Sequence, residues 1–142
     1  MNKKLIYLAG GISDLTWEQA VEWRDKLNDL IQDNMCGHIW KCFDPCKHIH
    51  VFCEVITEEE ALRYDLDMLR HSRLMIVSFE HTQKSIGTAI EIGAALENNI
   101  PIIGYNPNNL ELHPWIKSAC IHICTSWDGM WLFLCHDYLN EE

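Results

Sequence analysis

The sequence predicts an α/β fold, a three-layer sheet of about five parallel strands, and two observations support it. The strand-like runs "KLIYLAG" (4–10), "RLMIVSF" (73–79) and "IPIIGY" (100–105) are apolar throughout rather than alternating, the pattern of strands covered on both faces. Between them lie segments with helical periodicity, so strand and helix alternate along the chain, which gives a doubly wound sheet of Rossmann-like or flavodoxin-like type. A length of 142 residues suits one domain spanning 1–142.

The elements follow in order. Strand 4–10 ends in glycines. Helix 16–31 has Thr16 and Gln19 at capping-box spacing and an inner stripe of Ala20, Trp23, Leu27 and Ile31. "HIWKCF" (38–43) alternates like a strand, and "DPCKHIHVFCEVI" reads as an irregular connection in which His48 and His50 alternate with Ile49 and Val51 as in an extended segment. Helix 57–71 opens on a second capping box, Thr57 and Glu60, with "EEEALR" as its solvated start. After strand 73–79 comes a helix over 85–96, stopped at Asn98 and Asn99. Strand 100–105, a loop with Pro107 and Pro114, strand 119–125 and a closing helix capped by Ser126 complete the chain. Of the six tryptophans, Trp17 and Trp23 fall on the first helix and Trp127 and Trp131 on the last, where core or subunit interface explains them better than base stacking.

Composition narrows the partners. A net charge of −10 argues against a nucleic-acid polymer, whose phosphates need a basic face, but leaves room for a nucleoside or nucleotide. No run reaches the ~18 apolar residues of a membrane span. "MNKKLIYLAGG" is too short in its apolar part for a signal peptide and reads as the first strand, so a cytoplasmic location is expected. The seven cysteines read as free thiols rather than a disulfide framework. Residues 36–53 hold four Cys and three His, yet no C-x-x-C pair occurs, Cys42 to Cys46 being the nearest fit; no metal and no cofactor is called for.

In such sheets ligands sit beyond the carboxyl ends of the strands. That rule gathers "GGISD", "FDP" and "SFEHTQKSIGT" with the loop after Tyr105. "SIGTAIEIGAAL" (85–96) then stands out, because Glu91 lies in a run of small and apolar residues, where a carboxylate is costly unless paired or used. On spacing alone Glu91 reads equally well as a solvent-facing residue. Ser85, Gly87 and Thr88 open this helix, where free N–H groups attract anions and glycine allows close approach. "YLAGGI", with Gly10 and Gly11, is neither a G-x-G-x-x-G fingerprint nor a Walker loop, which points to a smaller ligand.

"YLAGGI", the mid-chain helix "RYDLDMLRHS", a buried strand and then S-x-G-T-x-x-E-x-G-x-A together resemble the nucleoside 2-deoxyribosyltransferase family, over about residues 4–105. The resemblance implies a small parallel α/β domain assembled into dimers or hexamers, its site completed by a neighbouring subunit. It implies that Glu91 attacks the anomeric carbon, forming a covalent deoxyribosyl-enzyme from which a free nucleobase takes the sugar. It also implies that Asp65 is the acid near the nucleobase and that Tyr7 positions the nucleophile; on the residues alone, Tyr7 reads as core packing. Asp67 points to another helix face and reads as solvated. Phe43 and Asp44 stand where the family contacts the base, although Pro45 equally suggests a plain turn. Many transferases carry aspartate six residues before the nucleophile. Here that residue is Ser85, as in the related deoxynucleoside monophosphate N-glycosidases, whose hydroxyl helps hold a 5′-phosphate. "GGISDLT" supplies Ser13 but also Asp14 and no arginine, so transfer ranks first and nucleotide hydrolysis second. Cytokinin-activating phosphoribohydrolases share the GT-x-x-E element but precede it with two glycines that are missing here. A nucleotide-binding module without turnover is the reading from another class.

Overall fold

The computed structural model describes residues 3–13, 15–52 and 54–140; Asp14 and Cys53, which entered the phosphate and metal readings above, lie outside the described residues. Five strands, β1 (Lys4–Gly10), β2 (Trp40–Phe43), β3 (Leu74–Ser78), β4 (Ile102–Tyr105) and β5 (His122–Cys124), form one sheet in the order β2-β1-β3-β4-β5. Every pairing is parallel. This is the flavodoxin-like order, whose switch point lies between β1 and β3.

Alternation along β1 sorts the two faces. Ile6 and Leu8 pack on one side with Trp23, Leu27 and Ile31 of α1 (Trp17–Asp33) and with Met130 and Leu134 of α6 (Trp127–Asp137). Tyr7 and Ala9 pack on the other with Leu69 of α3 (Glu58–Arg70), Ile92 and Ala95 of α4 (Ile86–Glu97) and Ala119 of α5 (Pro114–Ala119). The three layers follow from this burial on both faces. Both capping boxes form, Thr16 with Gln19 and Thr57 with Glu60.

Three expectations are corrected. The connection after β2 is not irregular: α2 (Pro45–Phe52) occupies it, so His48 lies on a helix and not in an extended segment. Asp44 explains the helix, its Oδ1 accepting from the backbone N–H groups of Cys46 (2.9 Å) and Lys47 (3.3 Å), with Pro45 at the first helical position, where its missing N–H costs nothing. β2 begins at Trp40, two residues later than expected, because Met35–His38 close a 3₁₀ turn. The loop before β5 contains α5, started by Pro114. No helix among the described residues is long and apolar enough to cross a membrane.

Candidate active site

β1 ends at Gly10, with Gly11 just beyond it at the switch point, and the chain after β3 runs through Thr82 and Lys84 to the start of α4. These segments and α3 enclose a cleft of about 470 Å³ lined by Gly10, Gly11, Asp65, Ser85, Thr88 and Glu91, with Ser13 and Gly87 on its wall and Glu58 and Lys84 also lining it. Eight of the residues singled out from the sequence thus share one cavity. Gly10 has φ +156°, and a Cβ there would meet the Ser78 carbonyl oxygen and the Trp23 ring, each at 3.3 Å. A Cβ at Gly87 would meet only Ser85 Oγ, at 4.0 Å, so this glycine leaves the cleft open at the helix start.

Glu91 answers the question its neighbours raised. It leaves the packed side of α4, where Ile92 and Ala95 are buried, and reaches the middle of β1, where the Tyr7 hydroxyl donates a hydrogen bond to its Oε2. Tyr7 is fully buried. Burial, with the charges of Glu91 and Asp65 beside it, pushes its phenol far above the ordinary tyrosine range, so it is a proton-bearing donor. Burial also pushes the Glu91 carboxyl up to about 7; the Tyr7 hydrogen bond pulls against this, Asp65 adds to it, and Arg24 pulls against it.

Asp65, 8% exposed, faces the same cleft from α3. Burial raises its carboxyl to about 7. Its Oδ1 makes no hydrogen bond among the described residues; His48 Nδ1 lies 4.0 Å away. Asp67 is exposed and pairs with Arg70 and His71 on the outer face. Ser85 caps α4, its Oγ accepting from Thr88 N–H at 3.2 Å. Thr88 Oγ1 is buried without a hydrogen-bond partner, the state of a group that expects a ligand or water.

Phe43 and Asp44 do not line the cleft. The Phe43 ring packs 5.5 Å from Tyr7 and 5.9 Å from Tyr64, and Asp44 is held by its helix cap and by Arg24 at 3.6 Å. Arg24 is the residue that sequence reasoning missed. It lies on the stripe of Ala20, Trp23 and Leu27, at i+4 from Ala20 and i−3 from Leu27, and that periodicity marks it as inward-facing. Among the described residues, no three or more His, Cys, Asp or Glu are grouped to hold a metal ion.

This arrangement can deliver a carboxylate to an electrophilic carbon from one side while a protonated carboxyl serves a leaving group. The sequence matches the nucleoside 2-deoxyribosyltransferase family model over residues 6–132, while no curated protein matches. The structure is similar to the 2-deoxyribosyltransferase of Bacillus psychrosaccharolyticus (TM-score 0.72, 19% identity, 89% of each chain covered). It is similar to the enzyme titled 2-desoxiribosyltransferase from Leishmania mexicana (TM-score 0.65, 12% identity, 95% of this chain and 99% of that one). It also resembles a CMP N-glycosidase of Clostridium botulinum (TM-score 0.61, 16% identity, 92% and 97%). At these identities the structural likeness shows the fold; the family match, which spans most of the sequence, shows that the chain belongs to the nucleoside 2-deoxyribosyltransferase family.

Proposed function

We propose that the protein exchanges the base of 2′-deoxyribonucleosides through a covalent deoxyribosyl–Glu91 intermediate. The observation that carries this reading is the pairing of Glu91 with the Tyr7 hydroxyl in a cleft that also holds the raised carboxyl of Asp65. In the first half-reaction a Glu91 oxygen attacks the anomeric carbon. The C–N bond breaks, its electron pair leaves with the base, and Asp65 gives that base a proton. In the second, a nitrogen of the incoming base attacks the same carbon, the bond to Glu91 breaks, and the surplus proton returns to Asp65. Two inversions leave the configuration retained. Tyr7 holds the nucleophile in line, and Thr88 Oγ1 offers a hydrogen bond to the sugar.

Transfer and hydrolysis differ only in what takes the sugar from Glu91. A deoxynucleoside monophosphate N-glycosidase is the second reading, favoured by the neutral Ser85 and by Lys84 on the cleft lining, since a hydroxyl and an ammonium tolerate a phosphate. The test offers the protein a deoxynucleoside with a second free base, and separately the matching monophosphate, with chromatography of the products. A new nucleoside is expected, with slow release of free deoxyribose when no acceptor is present. Cleavage of the monophosphate alone would favour the hydrolase, and inertness toward both would favour a binding module.

The reading includes a homo-oligomer. Ile86, Ile90 and Leu96 of α4 are exposed, Trp115 of α5 is 83% exposed, and a groove of about 510 Å³ runs between these helices, sharing Lys84, Ser85 and Ile86 with the cleft. Sedimentation at micromolar concentration is expected to give a species larger than the monomer, and Trp115→Glu to shift it toward one chain.

A further inference from the structure

We propose that Arg24 is a positioning residue of this site: a buried cation that ties the ends of β1, α1 and α2 together behind the Tyr7–Glu91 pair and thereby holds the nucleophile in its working state. This rests on the reading of Glu91 as the nucleophile.

Arg24 is 1% exposed and is the only buried cation among the described residues. A guanidinium costs much to bury unless its donors are used. Here Nε–H donates to the Leu8 carbonyl (3.4 Å), Nη2–H to the Gly10 carbonyl (3.3 Å) and Nη1–H to the Ala20 carbonyl. Its face lies against Trp23, 4.9 Å from the ring centroid, and Nε is 3.6 Å from Asp44 Oδ1. Two of the three carbonyls belong to the end of β1, flanking Ala9 and following Tyr7; the third is on α1. Asp44 is the residue that starts α2. One rigid fork thus fixes the strand that carries Tyr7, the Gly10–Gly11 edge of the cleft and the helix that carries His48. Lysine, with a single nitrogen, does not reproduce such a fork.

Charge gives the second half of the role. The charged or titratable groups acting on Glu91 are Tyr7 from β1, Asp65 from α3 and Arg24 from α1, with Glu58 and Lys84 also lining the cleft. Burial and Asp65 favour its protonated form, whereas Tyr7 and Arg24 favour the carboxylate. Of these two, only Arg24 carries a charge. Asp44 accepts its pairing without entering the cleft, and burial lowers the guanidinium from its ordinary value only against the opposing pull of Asp44, Cys46, Glu91 and Tyr7.

The test titrates Glu91 by carbon-detected NMR in the substrate-free full chain, its signal assigned by loss in Glu91→Gln, alongside the pH profile of kcat/KM. In Arg24→Met the Glu91 midpoint is expected to rise, with the acidic limb of kcat/KM following it. Arg24→Lys should keep the midpoint near the native value and still lower kcat at least several-fold, since charge survives and the fork does not. Should Arg24→Met fail to fold because Asp44 is left without its cation, the double variant Arg24→Met with Asp44→Asn, compared with Asp44→Asn alone, asks the same question. A folded variant lacking the cation whose Glu91 midpoint is unmoved overturns the proposal. A midpoint that moves while the acidic limb stays fixed supports the Arg24–Glu91 link and removes Glu91 from the nucleophile role instead.

Discussion

Glu91→Ala is expected to abolish base exchange, lowering kcat by on the order of 10⁴-fold or more, while the chain stays folded. The size follows from the role: without the carboxylate no covalent sugar intermediate forms, and Tyr7 and Asp65 have nothing to hold in line or to assist. Steady-state turnover, with circular dichroism to confirm folding, checks it, and turnover near the native rate would remove Glu91 from the mechanism. The companion Glu91→Gln separates function from stability. The Glu91 carboxyl rises from 4.5 in an ordinary setting to about 7 in the fold, chiefly through burial. A group whose folded value is raised contributes fully below the unfolded value and loses that contribution as pH rises through the folded one. Below pH 4.5 the acid is neutral in both states and Glu91→Gln should change little. Above pH 7 the native protein bears the cost of a buried anion, and the amide should be more stable by on the order of 1–3 kcal/mol. An inactive variant that melts higher at pH 8 is the signature of a residue kept for chemistry at the expense of stability.

Asp65→Asn should lower kcat by ~10²–10⁴-fold, the usual scale for general acid catalysis. The amide keeps the shape and removes the proton donor. Asp65 is held up at about 7, so its protonated form is lost as pH rises through neutrality, whereas Glu91 must be ionised to attack. The two therefore set opposite limbs of a bell centred near pH 7, with the charge of Asp65 adding to the rise at Glu91. Asp65→Asn should lose the basic limb and keep the acidic one. A substrate whose base already carries positive charge, such as 7-methyl-2′-deoxyguanosine, leaves without needing a proton, and the variant should cleave it nearly as fast as the native protein. Asp67→Asn, altering an exposed side chain on the outer face of α3, should behave as native. The reverse outcome, with Asp67→Asn crippled and Asp65→Asn intact, would show that the other carboxylate is the acid.

How far the sequence revealed the molecule depended on whether the governing force was local. β1, β3 and β4 were legible because burial on both faces writes continuous apolar runs, and α1 and α3 because capping boxes sit in the sequence itself. The strand-end rule gathered Gly10, Gly11, Ser85, Gly87 and Thr88, which line one cleft with Glu91 because topology brings them there, whereas the loop after Tyr105, gathered by the same rule, does not line it. Asp65 and Asp67 were separable because two residues along a helix differ by more than half a turn in direction. α2 was missed because the alternation of His48 and His50 with Ile49 and Val51 reads as an extended segment, although Asp44-Pro45 is a legible helix start. Phe43 and Asp44 were placed at the right strand end, but sequence does not give the direction of a side chain; both turn toward Tyr7 and Arg24 instead of the cleft. Arg24 escaped because its partners are mainly backbone carbonyls, which no residue type announces.

The most direct measurement is intact-protein and peptide mass spectrometry after acid quench of the protein mixed with a 2′-deoxyribonucleoside and no acceptor base. The account predicts one added deoxyribosyl group per chain, located on the peptide at Glu91, appearing in a burst with the first equivalent of free base and absent from Glu91→Ala. Steady turnover with no adduct, or an adduct that maps to another residue, would contradict it.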